Sequence, residues 1–297
     1  MRNMFKGVIC PVVTAFDPYG EIDYAAQGLH VERLIEHGID GILFCGSIGE
    51  FPSLCLDEKK AFFEWAVKKV DGRAWVLAGT GGTNVGEAVE LTKHCKLAGA
   101  NGAVVISPYY FQLDERALHS YYAAVAKTGL PIVLYNFPER TKVSLSAGLV
   151  RNLAGEFENI VGIKDTVDSM SHTRELIDAV LPGRGDFCVL SGYDEYFIPN
   201  LFCGGAGVLS GLTNIAPGLF MEIKAAFKES DFGKLRGLQL RLNGLMKIYS
   251  AANPFISAIK YAVHTIIPEM GCSLREPFAP LTRSECGTID GLLEKFL

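Results

Sequence analysis

Short apolar runs rich in strand-forming residues alternate along this chain with longer segments that have helical spacing. The apolar runs lie at residues 8–13, 41–45, 75–78, 103–106, 132–135, 160–163, 187–190 and 207–209. Eight strand–helix units within about 220 residues predict an α/β protein that folds as a parallel (β/α)8 TIM barrel. A doubly wound sheet is the alternative, and it is disfavoured because no GxGxxG motif follows the first run.

The segments between the runs have recognisable helix ends. The segment 57–70 opens with Asp57, a residue type that caps helix N-termini, and its apolar side chains recur on one side. The next segment opens with Asn84 and ends before Gly99, a typical helix stop. Both patterns predict amphipathic helices that pack against the strands.

The end of the chain has a different pattern, in which apolar runs stop and only helical spacing continues. Three further helices are predicted at 231–250, 253–267 and 282–297. We therefore predict a barrel over residues 1–229 that carries the active site and a C-terminal helical domain over residues 230–297.

Composition and charge narrow the possible partners. The 297 residues include 28 Lys plus Arg and 33 Asp plus Glu, which gives a formal charge of −5. This balance, without a basic run, disfavours nucleic acid or an anionic membrane as the main partner. No apolar run approaches the ~18 residues of a membrane span, and Gly7 and Pro11 interrupt the N-terminal apolar stretch, unlike a signal peptide. We expect a cytoplasmic protein.

Cysteine and histidine positions argue against a metal centre. The eight cysteines lie at least ten residues apart, so no zinc-type spacing exists, and HExxH is absent. Several cysteines, such as Cys10, Cys45 and Cys188, fall in or beside the apolar runs, which indicates buried free thiols. No histidine follows a strand directly, so a histidine base is not expected.

Lys164 follows the sixth apolar run. The alternation of a strand places Gly162 and Lys164 on one face and Val161 and Ile163 on the other. Active sites of such barrels lie at the C-terminal ends of the strands, so an inward Lys164 would project into the barrel mouth. Burial there favours a neutral amine, the nucleophile of Schiff-base chemistry. The alternative is a lysine that pairs with Asp165 or another carboxylate, or emerges into solvent.

Two other strand ends carry candidate chemistry. Tyr135 ends the fifth run, where a phenol can move protons to and from a substrate oxygen, unless it is only a hydrogen-bonded rim aromatic. The turn 46–50 after the second run offers backbone amides and the Ser47 hydroxyl, which suit a carboxylate or phosphate. It matches neither the Walker loop nor the GxSxG elbow, and a purely structural turn is its alternative.

Taken in order, these motifs resemble the superfamily of N-acetylneuraminate lyases and dihydrodipicolinate synthases, which are class I aldolases that handle pyruvate. The resemblance rests on Gly-Ser-Ile-Gly-Glu at 46–50 (family pattern G[ST]TGE), Tyr-Asn-Phe-Pro at 135–138 (YNxP), Gly-Ile-Lys-Asp-Thr at 162–166 (G[IV]K[DQ]T) and Gly-Val-Leu-Ser at 207–210. It extends over essentially the whole chain, including the helical tail.

The resemblance implies a Schiff base between pyruvate and Lys164, with Tyr135 as the proton shuttle. Ser47 and the amides of its turn would hold the pyruvyl carboxylate. Tyr110 matches a family tyrosine that reaches into a neighbouring subunit's site, which implies a homotetramer built as a dimer of dimers. No metal or organic cofactor is expected, because the imine itself serves as the electron sink.

The second substrate is indicated by residues after the later strands. Gly-Tyr-Asp-Glu at 192–195 resembles a stretch of family members that bind polyhydroxylated acids, where carboxylates accept sugar hydroxyls. The likeness is strongest to the bacterial 2-keto-3-deoxygluconate aldolase-like subgroup. The predicted substrate-binding residues are Ile48, Gly49, Arg140, Thr166, Gly192, Asp194, Glu195, Leu209 and Ser210.

Two positions favour different second substrates. Ile48 stands where dihydrodipicolinate synthases have a second hydroxyl, which the resemblance implies in a proton relay with a tyrosine, so it counts against lysine biosynthesis. Arg140 matches an arginine that those synthases use near the carboxylate of aspartate semialdehyde. We give more weight to Ile48 and to Asp194 with Glu195, because an arginine can equally bind the distal carboxylate of a sugar acid.

The leading hypothesis is a lyase that cleaves a 2-keto-3-deoxy sugar acid to pyruvate and an aldehyde. The alternatives are a dihydrodipicolinate synthase that condenses pyruvate with aspartate semialdehyde, an N-acetylneuraminate lyase, and a dehydratase that uses the same imine. A non-catalytic barrel that binds keto acids is the alternative from a different class, and Ile48 is the motif change that favours it. A metal- or phosphate-dependent barrel enzyme is the weakest alternative.

Overall fold

The computed structural model describes residues 4–297 and contains a closed barrel of eight parallel strands. Each strand pairs with the next along the chain, and the first strand pairs with the eighth. The strands are β1 (Gly7–Pro11), β2 (Gly41–Phe44), β3 (Trp75–Gly79), β4 (Gly102–Ile106), β5 (Ile132–Asn136), β6 (Ile160–Asp165), β7 (Cys188–Ser191) and β8 (Gly207–Leu209). The predicted TIM barrel with C-terminal helices is confirmed.

Helices follow the strands and surround the barrel, and three more helices follow at the end of the chain. The helices are α1 (Tyr24–Glu36), α2 (Leu56–Val70), α3 (Val85–Ala98), α4 (Glu115–Ala126), α5 (Pro138–Thr141), α6 (Ala147–Glu156), α7 (Met170–Val180), α8 (Phe197–Phe202), α9 (Pro217–Lys228), α10 (Phe232–Leu245), α11 (Phe255–Ile266) and α12 (Arg283–Phe296). Single 3-10 turns lie at Phe51–Ser53, Asp194–Tyr196, Gly211–Asn214 and Met246–Ser250.

The second helix shows how the sequence pattern becomes packing. It buries Phe62, Phe63, Ala66 and Val70, the side chains that the pattern placed on one side. Phe62 meets Phe44 of β2 edge to face, with ring centroids 5.4 Å apart. Full burial of such side chains contributes about 1.5–3 kcal/mol each, so this face fixes the helix against the barrel.

Two helix ends differ in how well the sequence predicted them. Asn84 caps α3 as expected, because its side chain accepts from the N–H groups of Gly86 and Glu87, and Gly99 ends the helix with φ 92°. The Asp57 cap is wrong: α2 begins one residue earlier with Cys55 at the N-cap position. The side chain of Glu58 instead accepts the Cys55 N–H, which leaves Asp57 in the first turn, where its negative charge interacts favourably with the positive end of the helix dipole.

The C-terminal helices differ from the prediction in one respect that matters for the site. The predicted helix 231–250 ends at Leu245, and its last residues form the 3-10 turn Met246–Ser250 at the barrel mouth. Helix α11 is attached to the barrel by a buried ion pair between Lys260 and Glu50. A domain division at residue 230 remains a prediction.

The cysteines are all free thiols. Cys10, Cys45 and Cys188 are buried, as the sequence indicated, and burial raises the pKa of each thiol to about 12. Burial does not extend to all cysteines, since Cys55, Cys203 and Cys272, which lie outside the apolar runs, are exposed. Over residues 4–297, no helix has the length and apolar character needed to cross a membrane.

Candidate active site

A cavity of about 280 Å³ opens at the C-terminal ends of the strands, the end of the barrel where polar residues were expected to converge. Strand ends from across the barrel supply its floor, and the C-terminal segment supplies part of its wall. The predicted site residues that line it are Ser47, Ile48, Tyr135, Arg140, Lys164, Thr166, Gly192, Asp194 and Ser210. Residues separated by more than 160 positions in the chain therefore meet in one pocket.

Lys164 and Tyr135 lie side by side in this cavity. They occupy paired positions on the neighbouring strands β6 and β5, and both side chains face inward. The Lys164 Nζ lies 4.3 Å from the centroid of the Tyr135 ring, and Lys164 is only 5% exposed. Within residues 4–297 no carboxylate forms a salt bridge with Lys164, because Asp165 points to the other side of the strand. The Lys164 side chain therefore projects into the barrel mouth, and its role as the nucleophile remains a prediction.

The turn after β2 brings Ser47 to the same point. The Ser47 hydroxyl lies 3.5 Å from the Tyr135 hydroxyl, at the outer limit of a hydrogen bond. The backbone N–H groups of Ser47 and Ile48 donate to no other described residue, so they are available to an anionic group. Since the hydroxyl beside Tyr135 belongs to Ser47, the apolar Ile48 does not remove the hydroxyl contact of that tyrosine.

Asp194 is buried in the cavity wall, and the protein itself holds both of its carboxylate oxygens. The N–H of Leu212 donates to Oδ1 at 3.0 Å, and the Tyr249 hydroxyl donates to Oδ2 at 2.6 Å. Burial raises the pKa of the Asp194 carboxyl, and burial with the adjacent Asp194 charge holds the pKa of Tyr249 well above its usual value. Each carboxylate oxygen has capacity for one more donor, so Asp194 can fix Tyr249 and still receive a substrate hydroxyl.

Two hydroxyls near Asp194 are free to bind a ligand. Thr166 Oγ1 and Ser210 Oγ are buried, line the cavity and have no partner with hydrogen-bond geometry in the range 4–297, although the Ser210 hydroxyl is close enough to the Asp194 carboxyl to lower its pKa. A buried hydroxyl without a partner costs about 1–3 kcal/mol, which a bound substrate would recover. Gly192 allows the strand ends to approach this closely, since a Cβ there would lie 1.9 Å from Thr166 Oγ1.

Arg140 is the second basic residue of the cavity lining, besides Lys164. Its guanidinium lies 5.8 Å from the ring centroids of both Phe137 and Phe255, which orients it by cation–π contacts. Its side chain is about half exposed and lies 3.6 Å from the carboxylate of Glu139, a weak surface pair. The arginine is therefore available to an anionic group that enters the cavity.

Four predicted residues lie outside the cavity lining. Gly49 accepts a hydrogen bond from Thr14 through its carbonyl, and Leu209 is fully buried in β8. Glu195 is half-buried next to Asp194, and burial raises the pKa of its carboxyl. Tyr110 is 86% exposed, with φ 83° and its ring against Phe111. Contacts of these residues with substrate, or of Tyr110 with a second subunit, remain predictions.

Comparison with known proteins identifies the family of this chain. Residues 4–295 match the model of the dihydrodipicolinate synthetase family. The chain belongs to this family. It is 38% identical over 293 residues, 98% of this chain and 97% of the relative, to the putative 2-dehydro-3-deoxy-D-gluconate aldolase YagE of Escherichia coli K12. The crystal structure of YagE in complex with pyruvate has a TM-score of 0.96 and covers 99% of both chains.

Other members of the dihydrodipicolinate synthetase family are similar to nearly the same degree. The probable 2-dehydro-3-deoxy-D-pentonate aldolase YjhH of Escherichia coli is 39% identical over 263 residues, 88% of this chain and 87% of the relative. The 4-hydroxy-tetrahydrodipicolinate synthase of Aquifex aeolicus is 38% identical over 280 residues, 94% of this chain and 92% of the relative. These matches identify the protein as a lyase of this family.

Two parts of the site in this family member were not found from the sequence. Met246 and Tyr249 line the cavity from the 3-10 turn, but the sequence placed them within a long helix far from any strand end. His172, which was set aside with the other histidines, bonds through Nδ1 to Asp165, the residue after Lys164. The sequence feature related to the position of Tyr249 is the glycine at 211. A Cβ there would lie 2.4 Å from the Tyr249 hydroxyl, so the close approach of Tyr249 requires a residue without a side chain.

Proposed function

We propose that this protein is a class I aldolase that binds a 2-keto-3-deoxy sugar acid as a Schiff base on Lys164 and cleaves it to pyruvate and an aldehyde. The observation that carries the proposal is the buried amine of Lys164, unpaired with any described carboxylate and 4.3 Å from the Tyr135 ring. An amine held in this way can act as a nucleophile toward a keto group.

The reaction balances with residues of this cavity alone. The Lys164 amine adds to the C2 keto group, the Tyr135 hydroxyl donates its proton to the departing hydroxyl, water leaves, and an iminium forms. The resulting Tyr135 phenolate, beside Ser47, accepts the proton of the C4 hydroxyl while the C3–C4 bond breaks and its electrons enter the iminium. The aldehyde leaves, Tyr135 passes the proton to C3 of the enamine, and water adds to the iminium and returns a proton to Tyr135, which releases pyruvate and restores the amine. No organic cofactor or metal is required by this sequence of steps, because the imine accepts the electrons.

The remaining cavity groups suit the rest of such a substrate. The N–H groups of Ser47 and Ile48 would bind the C1 carboxylate, as anions bind to free amides. Thr166 and Ser210 would take hydroxyls of the sugar chain, because their buried hydroxyls are otherwise unpaired among the described residues. The similarity to YagE and YjhH, which are named as aldolases of 2-dehydro-3-deoxy sugar acids, supports this class of substrate.

Condensation of pyruvate with aspartate semialdehyde is the second candidate function. Arg140 favours it, since this arginine lines the cavity and would bind the carboxylate of that aldehyde. The identity of 38% to the Aquifex aeolicus synthase supports it as well. We rank it below sugar-acid cleavage because the cavity also contains unpaired hydroxyl groups for a polyol chain. Dehydration of the same acids through the imine is distinguished by its products.

A homotetramer in the cytoplasm completes the proposal. Tyr110 supports the oligomer, because an 86% exposed aromatic ring in a left-handed backbone conformation suits burial against another subunit. The mass of the purified protein in solution tests it. A monomer at micromolar concentration would contradict this part of the proposal.

The test of the proposed chemistry is covalent trapping. The protein is incubated with 2-keto-3-deoxygluconate or with pyruvate, reduced with borohydride, and analysed as intact protein and as peptides by mass spectrometry. We expect a pyruvyl-sized adduct on Lys164 from either compound, and none in Lys164→Ala. Lys59→Ala is the matched control, since Lys59 is also partly buried and lies 5.5 Å from the centroid of an aromatic ring, that of Phe51.

Each outcome of the trapping experiment has a distinct meaning. An adduct that keeps the whole carbon skeleton would indicate dehydration if its mass shows the loss of a further water, and bound but uncleaved substrate if it does not. A coupled assay with pyruvate and aspartate semialdehyde that exceeds the rate of sugar-acid cleavage would establish the synthase instead. Normal turnover of sugar acid by Lys164→Ala, or no adduct with either compound, would refute the Schiff-base proposal.

A further inference from the structure

Directly behind Lys164 and Tyr135, on the outer face of the same two strands, lies a buried polar cluster. It consists of Asn136, Asp165, His172 and Thr173, and we refer to it as the outer clamp. The Asp165 carboxylate is at its centre and is inaccessible to solvent. Asn136 Nδ2 donates to Asp165 Oδ1 at 2.8 Å, and His172 Nδ1 and Thr173 Oγ1 donate to Oδ2 at 2.9 Å and 3.3 Å.

Strand register links this cluster to the reacting groups. Tyr135 pairs with Lys164 across β5 and β6, and the next residues, Asn136 and Asp165, pair in the same way. Because side chains alternate along a strand, the first pair faces the cavity and the second faces the helices. The bond between Asn136 and Asp165 therefore joins the two strands one residue beyond the point where each presents its reactive side chain.

Further hydrogen bonds connect the outer clamp to the surrounding strands and helices. Asn136 Oδ1 accepts the N–H of Leu145, and the Asn136 carbonyl accepts the N–H of Thr166. The Asp165 carbonyl accepts the N–H of Gly192, at the end of β7. The ends of β5, β6 and β7 are thus connected to each other and, through His172, to the start of α7. A buried carboxylate held by three donors forms stronger bonds than neutral groups do.

We propose that Asn136, Asp165 and His172 are positioning residues that hold Tyr135 in register with Lys164 during proton transfer. This inference rests on the proposed function, in which Tyr135 moves the proton and Lys164 carries the imine. A displacement of about 1 Å of a reacting group costs on the order of 100-fold in rate. Loss of the clamp therefore affects the proton-transfer step more than it affects the binding of pyruvate.

The variants are designed to distinguish an effect on the position of Tyr135 from a general loss of folding. His172→Leu removes the donor to Asp165, whereas His172→Asn restores an N–H donor near the position of Nδ1. Asp165→Asn keeps the shape of the carboxylate and removes its charge. The matched control is His119→Leu, because His119 also bonds a carboxylate, that of Glu156 at 2.8 Å, but on the outer surface of the protein.

The measurements use pyruvate alone and then the full reaction. Exchange of the pyruvate C3 protons in D2O reports proton transfer on the imine, borohydride trapping reports imine formation, and turnover of 2-keto-3-deoxygluconate gives kcat and KM. We expect His172→Leu and Asp165→Asn to lower kcat and the exchange rate by about 10- to 100-fold, with KM within about threefold. In His172→Asn, kcat and the exchange rate should recover to within about threefold of the wild-type values. His119→Leu should have the wild-type values.

Three results would overturn the proposal. One is an exchange rate in His172→Leu equal to that of His119→Leu. Another is a fall in kcat that His172→Asn does not reverse although it folds, and the third is a change confined to KM. If His172→Leu does not fold, the comparison of Asp165→Asn with the wild type decides the question. Failure of the proposed function is a separate result, because the wild type itself would then give no pyruvate adduct on Lys164.

Discussion

The buried ion pair between Glu50 and Lys260 should hold the C-terminal helices to the barrel, and its contribution can be measured. Glu50 ends the turn that carries Ser47, with a left-handed φ of 56°, and Lys260 lies in α11. Their charged atoms are 2.8 Å apart, with side-chain exposures of 1% and 0%. Burial raises the pKa of Glu50 and lowers that of Lys260, so each charge depends on the other.

Removal of one partner leaves the other charge buried, with little compensation. After Lys260→Met, the Glu50 carboxylate keeps only the N–H of Arg275, at 3.2 Å, and the contact of the ammonium with the Phe16 ring at 4.2 Å is lost. Such single substitutions cost about 3–5 kcal/mol. We expect a similar loss of unfolding free energy in Glu50→Gln. The loss in the double variant should be smaller than the sum of the two single losses by at least about 2 kcal/mol.

The assay is urea unfolding at pH 7 and constant protein concentration, analysed as a double-mutant cycle. The matched control is the pair Lys60 and Glu90, which is slightly closer at 2.5 Å but has side-chain exposures of 23% and 55%. Its cycle should give about 0–1 kcal/mol, because solvent screens the charges. If the coupling between Glu50 and Lys260 is no larger than that of the exposed pair, burial does not control the strength of this contact and the reasoning is refuted.

Polar groups around the cavity lead to three more predictions. Tyr249→Phe should lower the free energy of unfolding by about 1.5–3 kcal/mol, because it removes the donor to the buried Asp194 carboxylate, and unchanged urea unfolding would contradict this. The hydrogen bond to Asp165 raises the pKa of His172 above about 6.5, so its stabilisation is present below that pH and lost as the pH rises through the raised value. The difference in unfolding free energy between the wild type and His172→Leu should therefore shrink as the pH is raised from below 6.5 through the raised pKa of His172. Dialysis against EDTA should leave the cleavage rate unchanged, because the imine on Lys164 supplies the electron sink, and a loss restored by a divalent metal would oppose the proposed mechanism.

Periodicity alone predicted the barrel and the position of its reactive end. All eight apolar runs became strands, with ends that agree to within two residues, because a parallel strand buried on both faces has few polar positions. The shifts have a structural meaning at β5 and β6, which extend through Asn136 and Asp165. These polar residues looked like loop residues, yet they form strand pairs because a carboxylate and an amide satisfy each other behind the barrel.

The lining of the cavity was only partly predictable. Residues at or just after the ends of strands, such as Ser47, Lys164 and Asp194, were predicted because a parallel barrel brings all strand ends to one mouth. Tyr249 was not found, since its approach depends on where the C-terminal helices pack. Cys55 was not expected as the cap of α2, because the bond between its N–H and Glu58 is a local choice that the usual cap residues do not reveal.

The sequence by itself predicted the fold class, the shared face of Gly162 and Lys164, and a tyrosine at the end of the neighbouring strand. Each depends on alternation and strand order, which are local properties of the chain. Only the tertiary structure decided which partner each polar group takes. Asp165 bonds outward to His172 and leaves Lys164 without a carboxylate partner among residues 4–297, and Asp194 bonds to Tyr249, 55 positions away. Sequence spacing contains no information about such contacts, because long-range packing sets the distances over which charges and hydrogen bonds act.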